Sequence, residues 1–291
     1  MTTVAVFVHT GRSDAVALGA EVARWLVNRG HRVMAPAAEA DLIAGAGGPT
    51  PLVDGSADPV DLVVTIGGDG TMLRGTRRAV IADADVLGVN LGQLGYLTEV
   101  EAGAWEPALV GYLAGDHQIA ARLVLASRLT RLSHGAGDGP GEALPTALNE
   151  VIIEKQAMGR TVRLGVTLDG KFFTSYVADG VILATPTGST AYSLSARGPV
   201  VDPQHRAILL TAVSPHSLFD RSLVLEPSSE VEVTVLGDRP AAVAVDGEHM
   251  RALPPGATVT VNAAERPARF VTFGGGDFHR TLKVKFGLND R

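Results

Sequence analysis

Apolar residues recur along this chain with two different periods, and the change from one to the other marks its organisation. Val4 to Val8 is a short apolar run of the kind that forms a strand. Behind Ser13 and Asp14, which suit a helix start, Leu18, Val22, Trp25 and Leu26 recur at helical spacing. Gly30 stops that helix, and His31-Arg32-Val33-Met34 reads as a second strand. Strand, helix, strand in this order predicts a parallel, doubly wound sheet. Asp41 to Pro59 is rich in Gly, Pro and Ala and reads as a loop near a ligand or as a plain linker. Val63-Val64-Thr65-Ile66 forms the next buried strand, Thr71-Met72-Leu73-Arg74 opens a helix, and Val86 to Asn90 adds another strand. Trp105 to Leu113 closes this half with a helix.

From Gln118 onward the pattern is that of many strands joined by tight turns. Strands are expected at 122–130, 148–154, 162–168, 172–177, 180–184, 207–211, 230–235, 242–245 and 258–261. Leu168-Asp169-Gly170-Lys171 is a hairpin turn by composition, and Ser133 to Pro145 is a polar excursion between strands. Arg280 to Phe286 alternates and reads as a closing strand that returns to the first half. The expected fold is therefore α/β plus β-rich, a Rossmann-like doubly wound parallel sheet followed by an all-β-type domain. The boundaries fall at residues 1–117, 118–272 and 273–291, the last being the returning segment.

Composition narrows the chemistry. A chain of 291 residues with 46% hydrophobic and 19% charged residues buries a substantial core. A formal net charge of −6 argues against bulk nucleic-acid binding. With no cysteine, disulfides, thiol catalysis and Cys-ligated zinc are excluded. The opening MTTVAVFVHTG lacks a charged segment before its apolar run, and no apolar run approaches the roughly 18 residues of a membrane span. The expectation is a cytoplasmic protein without membrane contact. The eight histidines show no metal-binding spacing, so no protein-built metal site is expected. Neither a G-x-G-x-x-G after the first strand nor a G-x-x-x-x-G-K-[ST] is present.

Between Ile66 and the next helix stands Gly67-Gly68-Asp69-Gly70-Thr71. Glycines let a ligand approach the backbone, and the free amides of a helix start favour an anion there. Asp69 opposes that charge. Either it, or Thr71, caps the helix, or its carboxylate accepts or orients the proton of an attacking hydroxyl while amides and a divalent ion hold phosphates. This loop resembles the one shared by NAD kinases, diacylglycerol-type lipid kinases and phosphofructokinases. The turn after Val89 is expected to face the same crevice, with Asn90 as a ligand contact or a turn former. A second segment, Thr185-Pro186-Thr187-Gly188-Ser189-Thr190-Ala191-Tyr192-Ser193, joins a strand to a helix. Its hydroxyls and amides suit ribose and phosphate without adding charge, and an aromatic ring there can stack on a base. A solvated helix-capping loop has the same composition. Asp-Gly occurs six times, so no single instance is more than a turn by itself.

TPTGSTAYSLSARGPVV resembles the second signature block of the NAD kinase family, Asn149-Glu150 resembles its NE pair, and GGDGT precedes both in order. Ser214-Pro215-His216-Ser217-Leu218 and the closing strand fit as well. This resemblance spans nearly the whole chain. It implies phosphoryl transfer from ATP, or from polyphosphate, to the 2′-hydroxyl of the adenosine ribose of NAD, with Mg²⁺ arriving with the nucleotide. It implies Asp69 as proton acceptor and Gly70 as a close backbone contact, with Arg74 a second charge one turn into the helix. Asn149 and Glu150 match a ribose-holding pair, Asp179 a ribose or nicotinamide-side contact, and Arg160 a basic contact. Thr187 and the run Thr190, Ala191, Tyr192, Ser193, Leu194 and Ser195 match the segment wrapping the dinucleotide. Glu248 departs from the family, whose members often carry Gln there. The family also implies a homo-oligomer, a dimer or tetramer. Two rivals accompany it: a lipid kinase, which calls for an apolar or basic membrane-facing patch, and a silent NAD(P)-binding sensor, which calls for a loop without its carboxylate.

Overall fold

The computed structural model of the chain describes residues 1–55, 57–92, 95–131, 141–216, 219–274 and 278–288. They form two compact units, one of residues 1–121 with 268–291, the other of residues 122–267. Ser217, Leu218 and most of the excursion after Ser133 lie outside the described residues.

The first unit is built on β1 (Thr3–Val8), β2 (Arg32–Ala35), β3 (Leu52–Val53), β4 (Leu62–Gly67), β5 (Asp85–Asn90), β6 (Val100–Glu101) and β7 (Gln118–Arg122). The strand Ala268–Thr272 completes the sheet, in the order β3-β2-β1-β4-β5, Ala268–Thr272, β7, with β6 beside β5. The pairs β1–β2, β1–β4 and β4–β5 are parallel. All six residues of β4 are buried, which explains its unbroken β-branched run. Helices α1 (Ser13–Asn28), α2 (Ala37–Gly45), α3 (Asp69–Ala82) and α4 (Trp105–Ala114) connect the strands. Since β1 leads to β2 on one side and β4 leads to β5 on the other, the winding reverses between β1 and β4. Their carboxyl ends flank the crevice where such sheets take ligands.

Three expectations need correcting. Asp41 to Pro59 is not a plain linker. Its first five residues are the end of α2, whose Ile43 is fully buried, and β3 follows. The remainder is held by Arg78, which donates from Nε and Nη2 to Asp54 at 2.7 and 2.8 Å and from Nη2 to the Asp58 carbonyl at 2.7 Å. The closing stretch is a helix, Phe278–Phe286, rather than a strand. None of its residues is buried, so no sheet face fixes an alternating register, and Lys283 and Lys285 in its last turn suit a helix C-terminus. The strand expected over 122–130 is two, broken at the buried Leu123 and Val124.

The second unit contains β8 (Leu125–Arg131), β9 (Glu142–Ala143), β10 (Glu150–Lys155), β11 (Val162–Leu168), β12 (Lys171–Ala178), β13 (Gly180–Ala184), β14 (Ile208–Val213), β15 (Leu223–Leu225), β16 (Val231–Leu236), β17 (Ala241–Val245), β18 (Glu248–Leu253) and β19 (Thr258–Ala263). Two six-stranded sheets result, ordered β15-β14-β13-β10-β17-β18 and β12-β11-β16-β19-β8-β9. Val151, Ile153, Val181, Leu183, Val243 and Val245 from one, with Leu164, Val166, Val233, Val235, Val259 and Val261 from the other, form a single core. The first sheet is also covered on its other face, where Ile152, Ile182, Ala184 and Leu209 meet Ala196 and Val201. The Asp169-Gly170 turn has both residues at positive φ, 48° and 74°, as a tight hairpin requires. Asp246-Gly247 repeats the device at 48° and 78° and leads into β18, a strand in which Leu253 is the one buried residue.

Candidate active site

The glycine turn of the first unit bears on the capping reading of Asp69. Helix α3 begins at Asp69, its N-cap is Gly68, and no side chain caps it. Gly68 instead offers its carbonyl to the amides of Thr71 and Met72 at 3.0 and 3.1 Å. The first amides of the helix, those of Asp69 and Gly70 among them, are left without a helical acceptor. Asp69 is thus not a cap. Its Oδ2 accepts the Tyr96 amide at 3.4 Å, and its Oδ1 is buried with no partner. The hydroxyls of Tyr96 and Thr98 are likewise buried and unpartnered. Burial, then the Asp69 charge, pushes the Tyr96 phenol above its ordinary range. Two orphaned hydroxyls beside a carboxylate whose own Oδ1 is unpartnered call for a polar ligand.

Close packing places this carboxylate. A Cβ added to Gly95 falls 2.4 Å from Asp69 Oδ1, and one added to Gly67 falls 2.6 Å from Thr71 Oγ1 and 3.1 Å from His9 Cβ. The turns after β1, β4 and β5 therefore touch: the His9 amide donates to the Ile66 carbonyl at 3.0 Å, and that of Leu91 to Gly67 at 3.4 Å. Asn90 donates from Nδ2 to the Gly92 carbonyl at 3.3 Å, the behaviour of a turn former. Arg74 behaves differently from expectation. Its Nη1 donates to the buried Glu39 at 2.6 Å and its Nη2 to the Val8 carbonyl at 3.0 Å, so its charge is committed to holding β1. The residues that sequence reasoning missed here are Gly95, Tyr96 and Thr98. The glycine-rich turn after a buried strand was their only signal.

In the second unit, Asp246 organises the site. Its carboxylate accepts the amides of Leu148, Asn149 and Glu150 at 3.0, 2.8 and 3.2 Å. Asn149 in turn takes the Thr185 amide on its carbonyl at 2.9 Å, and the Thr185 hydroxyl donates to Leu148 at 2.5 Å. Gly188 crosses so close that an added Cβ falls 2.0 Å from the Asn149 carbonyl oxygen. This is why the hydroxyl-rich segment contains a glycine. The hydroxyls themselves divide. Ser189 is bound to Val201, and Ser193 is fully buried against Thr211 at 3.5 Å, so both serve the fold. Thr187 is buried with its hydroxyl unpartnered, and Thr190 donates to the Thr187 carbonyl at 3.4 Å. Helix α5 (Tyr192–Ser195) follows, with Ala191 and Leu194 half-buried and Ser195 exposed.

Glu150 is 6% exposed, and its Oε2 has no partner. Burial first, then the charge of Asp246, raises its carboxyl to about 7, against the opposing hydrogen bond from the Tyr192 amide. The Tyr192 ring is 39% exposed; burial and the charges of Glu154, Asp179 and Glu150 raise its phenol. Asp179 pairs with Lys155 at 2.6 Å. Asn149, Glu150, Asp179 and Tyr192 thus share one neighbourhood, and Asp246 and Glu154, which sequence reasoning missed, belong to it. Arg160 stands apart in a cavity of about 170 Å³ lined also by Lys155, Thr161, Asp238 and Arg239. Glu248 is exposed at the start of β18, opposite Val245.

Comparison with known proteins decides what this arrangement belongs to. Residues 52–117 match the family model of the ATP-NAD kinase N-terminal domain, and residues 148–273 that of the ATP-NAD kinase C-terminal domain. The chain belongs to the NAD kinase family. NAD kinase 1 of Streptomyces coelicolor is 38% identical over 315 residues, covering 99% of this chain and 86% of the relative. The NAD kinase of Heliobacterium modesticaldum is 38% identical, with 98% of each chain covered. Among solved structures, yeast NADH kinase complexed with NADH superimposes with a TM-score of 0.86 at 25% identity, over 100% of this chain and 89% of that one. An Archaeoglobus fulgidus NAD kinase in complex with ATP shares the fold, with a TM-score of 0.70 at 22% identity over 100% of both chains. The NAD kinase family is one of phosphotransferases, and both halves of the expected fold, the parallel sheet and the β-rich sheets, are present. Nothing favours the lipid-kinase or sensor alternatives.

Proposed function

We propose that this chain transfers the γ-phosphoryl group of ATP to the 2′-hydroxyl of the adenosine ribose of NAD, giving NADP. The observation that carries this reading is the Asp69 carboxylate, uncapped, with Oδ1 buried and free, at the start of a helix whose first amides are free as well. Asp69 accepts the proton of the attacking hydroxyl as its oxygen bonds to the γ-phosphorus and the bond from that phosphorus to the β,γ-bridging oxygen breaks, releasing ADP, and the amides of Asp69 and Gly70 donate to phosphate oxygens. Asn149, Glu150 and Asp179 hold ribose hydroxyls, for which an amide beside carboxyl groups supplies donors and acceptors together. Tyr192 stacks on a ring of the dinucleotide, while Thr187 and the backbone from Thr190 to Ser195 wrap it. Arg160 offers positive charge to a phosphate.

Among the described residues no group of three or more His, Asp or Glu side chains could hold a metal ion. A Mg²⁺ carried in by the nucleotide's own phosphates would neutralise their charge. The protein is further proposed to be cytoplasmic; among the described residues no helix is long and apolar enough to cross a membrane. A homo-oligomer, dimer or tetramer, is supported by β12, an edge strand that exposes Phe172, Phe173 and Val177. Light scattering measures that mass directly. The functional test is purified protein with Mg-ATP and NAD, coupled to an NADP-specific dehydrogenase. Reduction of NADP that depends on both substrates is expected, and its absence refutes the proposal. Replacing ATP by polyphosphate in the same assay reports the donor.

A further inference from the structure

The carboxyl groups of Asp246 and Glu150 interact in the second unit, where Asp246 also accepts the Glu150 amide, and the structure treats them unequally. Asp246 accepts three backbone amides, from Leu148, Asn149 and Glu150, a set that stabilises its charged form. Glu150 is more than nine-tenths buried, receives the Tyr192 amide, and leaves Oε2 with no donor. An ionised Glu150 would place a second negative charge beside Asp246, out of water and half-satisfied. A neutral Glu150 avoids this and turns the orphan oxygen into an O–H donor. The other charged groups of the neighbourhood, Glu154, Asp179 and Lys155, act on the Tyr192 phenol, with Lys155 already paired to Asp179. Of these three described groups Lys155 is the one cation, and it is engaged with Asp179.

We infer that Glu150 meets its ligand as a neutral acid, donating the proton on Oε2 to an uncharged acceptor oxygen, a hydroxyl or a carboxamide, so that binding is coupled to proton uptake. Asp246 is the positioning residue: it fixes the backbone of Asn149 and Glu150 and keeps the proton on Glu150. The inference rests on the dinucleotide reading only in taking NAD as the probe. With the free carboxyl titrating near 7, about nine-tenths of Glu150 is ionised at pH 8 and about one-tenth at pH 6.

The test is calorimetric titration of the full chain with NAD in buffers of different ionisation enthalpy. Uptake of about 0.9 proton per site at pH 8 and about 0.1 at pH 6 is expected, with affinity about tenfold weaker at the higher pH. Glu150→Gln, which keeps a donor and cannot titrate, abolishes the uptake and the pH dependence while still binding NAD. Binding without uptake at pH 8, or undiminished uptake in the variant, overturns the inference. Infrared difference spectra without ligand separate it from the functional proposal. The protonated-carboxyl band at pH 6 is present in the wild type and missing from Glu150→Gln. Failure to see that band refutes the neutral acid, whereas the band together with no NAD binding refutes the dinucleotide reading instead.

Discussion

Alanine at position 95 displaces one carboxylate while leaving the rest of the glycine turn in place. The new Cβ falls 2.4 Å from Asp69 Oδ1, 2.9 Å from Thr98 Oγ1 and 3.3 Å from Asp69 Cγ, where ordinary contact begins at 3.4 Å. Asp69 Oδ1 must therefore retreat by about 1 Å. Every close atom is the end of a side chain rather than backbone, so the fold absorbs the change by rotating Asp69 away from its preferred geometry, at about 0.5–1.5 kcal/mol. The reaction does not absorb it. A 1 Å misplacement of a reacting group costs on the order of a hundredfold in rate, which is about 2.7 kcal/mol in the barrier. In the coupled NADP assay, Gly95→Ala is expected to lower kcat about a hundredfold with KM for NAD within about threefold. Thermal unfolding of the same sample checks that the loss is not one of folding. A kcat within twofold of wild type would show that the position of the Asp69 carboxylate does not matter.

Further consequences concern stability and the second unit. Glu150 carries its proton up to about 7 when folded, against an ordinary 4.5. The folded state therefore binds the extra proton, and the stability this contributes is full below about 4.5 and lost as pH rises through 7. Glu150→Gln removes that loss, so urea unfolding should find the variant about 3 kcal/mol more stable than wild type at pH 8 and little changed at pH 4; equal pH profiles contradict it. Gly188→Ala drives a methyl into the Asn149 backbone, and a cost of about 1–3 kcal/mol with weakened NAD binding is expected in denaturation and titration; unchanged binding would refute the assigned contact. Asp54→Ala leaves the buried Arg78 without its carboxylate and should cost about 3–5 kcal/mol by chemical denaturation; a change below about 1 kcal/mol would show that the pair is not a structural tie.

What the sequence revealed follows from where period alone is decisive. The buried strands at Val4–Val8 and Leu62–Gly67 and the Asp169-Gly170 hairpin were legible, because an apolar run or a two-residue turn needs no distant partner to be recognised. Residues 280–286 misled because alternation specifies a strand only where a sheet face is there to receive it. Strand β18 escaped because Leu253 is its one buried residue, so no apolar run or alternation marks it, and pairing with β17 makes it a strand. Within the site, Asp69 and Glu150 were visible in short motifs. The residues that set their geometry, Gly95 and Asp246, lie 26 and 96 positions away in sequence, and their only local mark is that of a turn. Arg74 shows the converse. Its place one turn into a glycine-loop helix suggested a phosphate cation, and only the fold brings the buried Glu39 to claim it.

The central claim is that Asp69 is an acid–base group and not a helix cap. Asp69→Asn keeps the shape and the Tyr96 contact but removes the ability to take a proton. Steady-state kcat of that variant, measured beside its equilibrium affinity for NAD, is the direct test. The account predicts a fall of about 10²–10⁴-fold in kcat with affinity within about threefold of wild type. Turnover near the wild-type rate would contradict it.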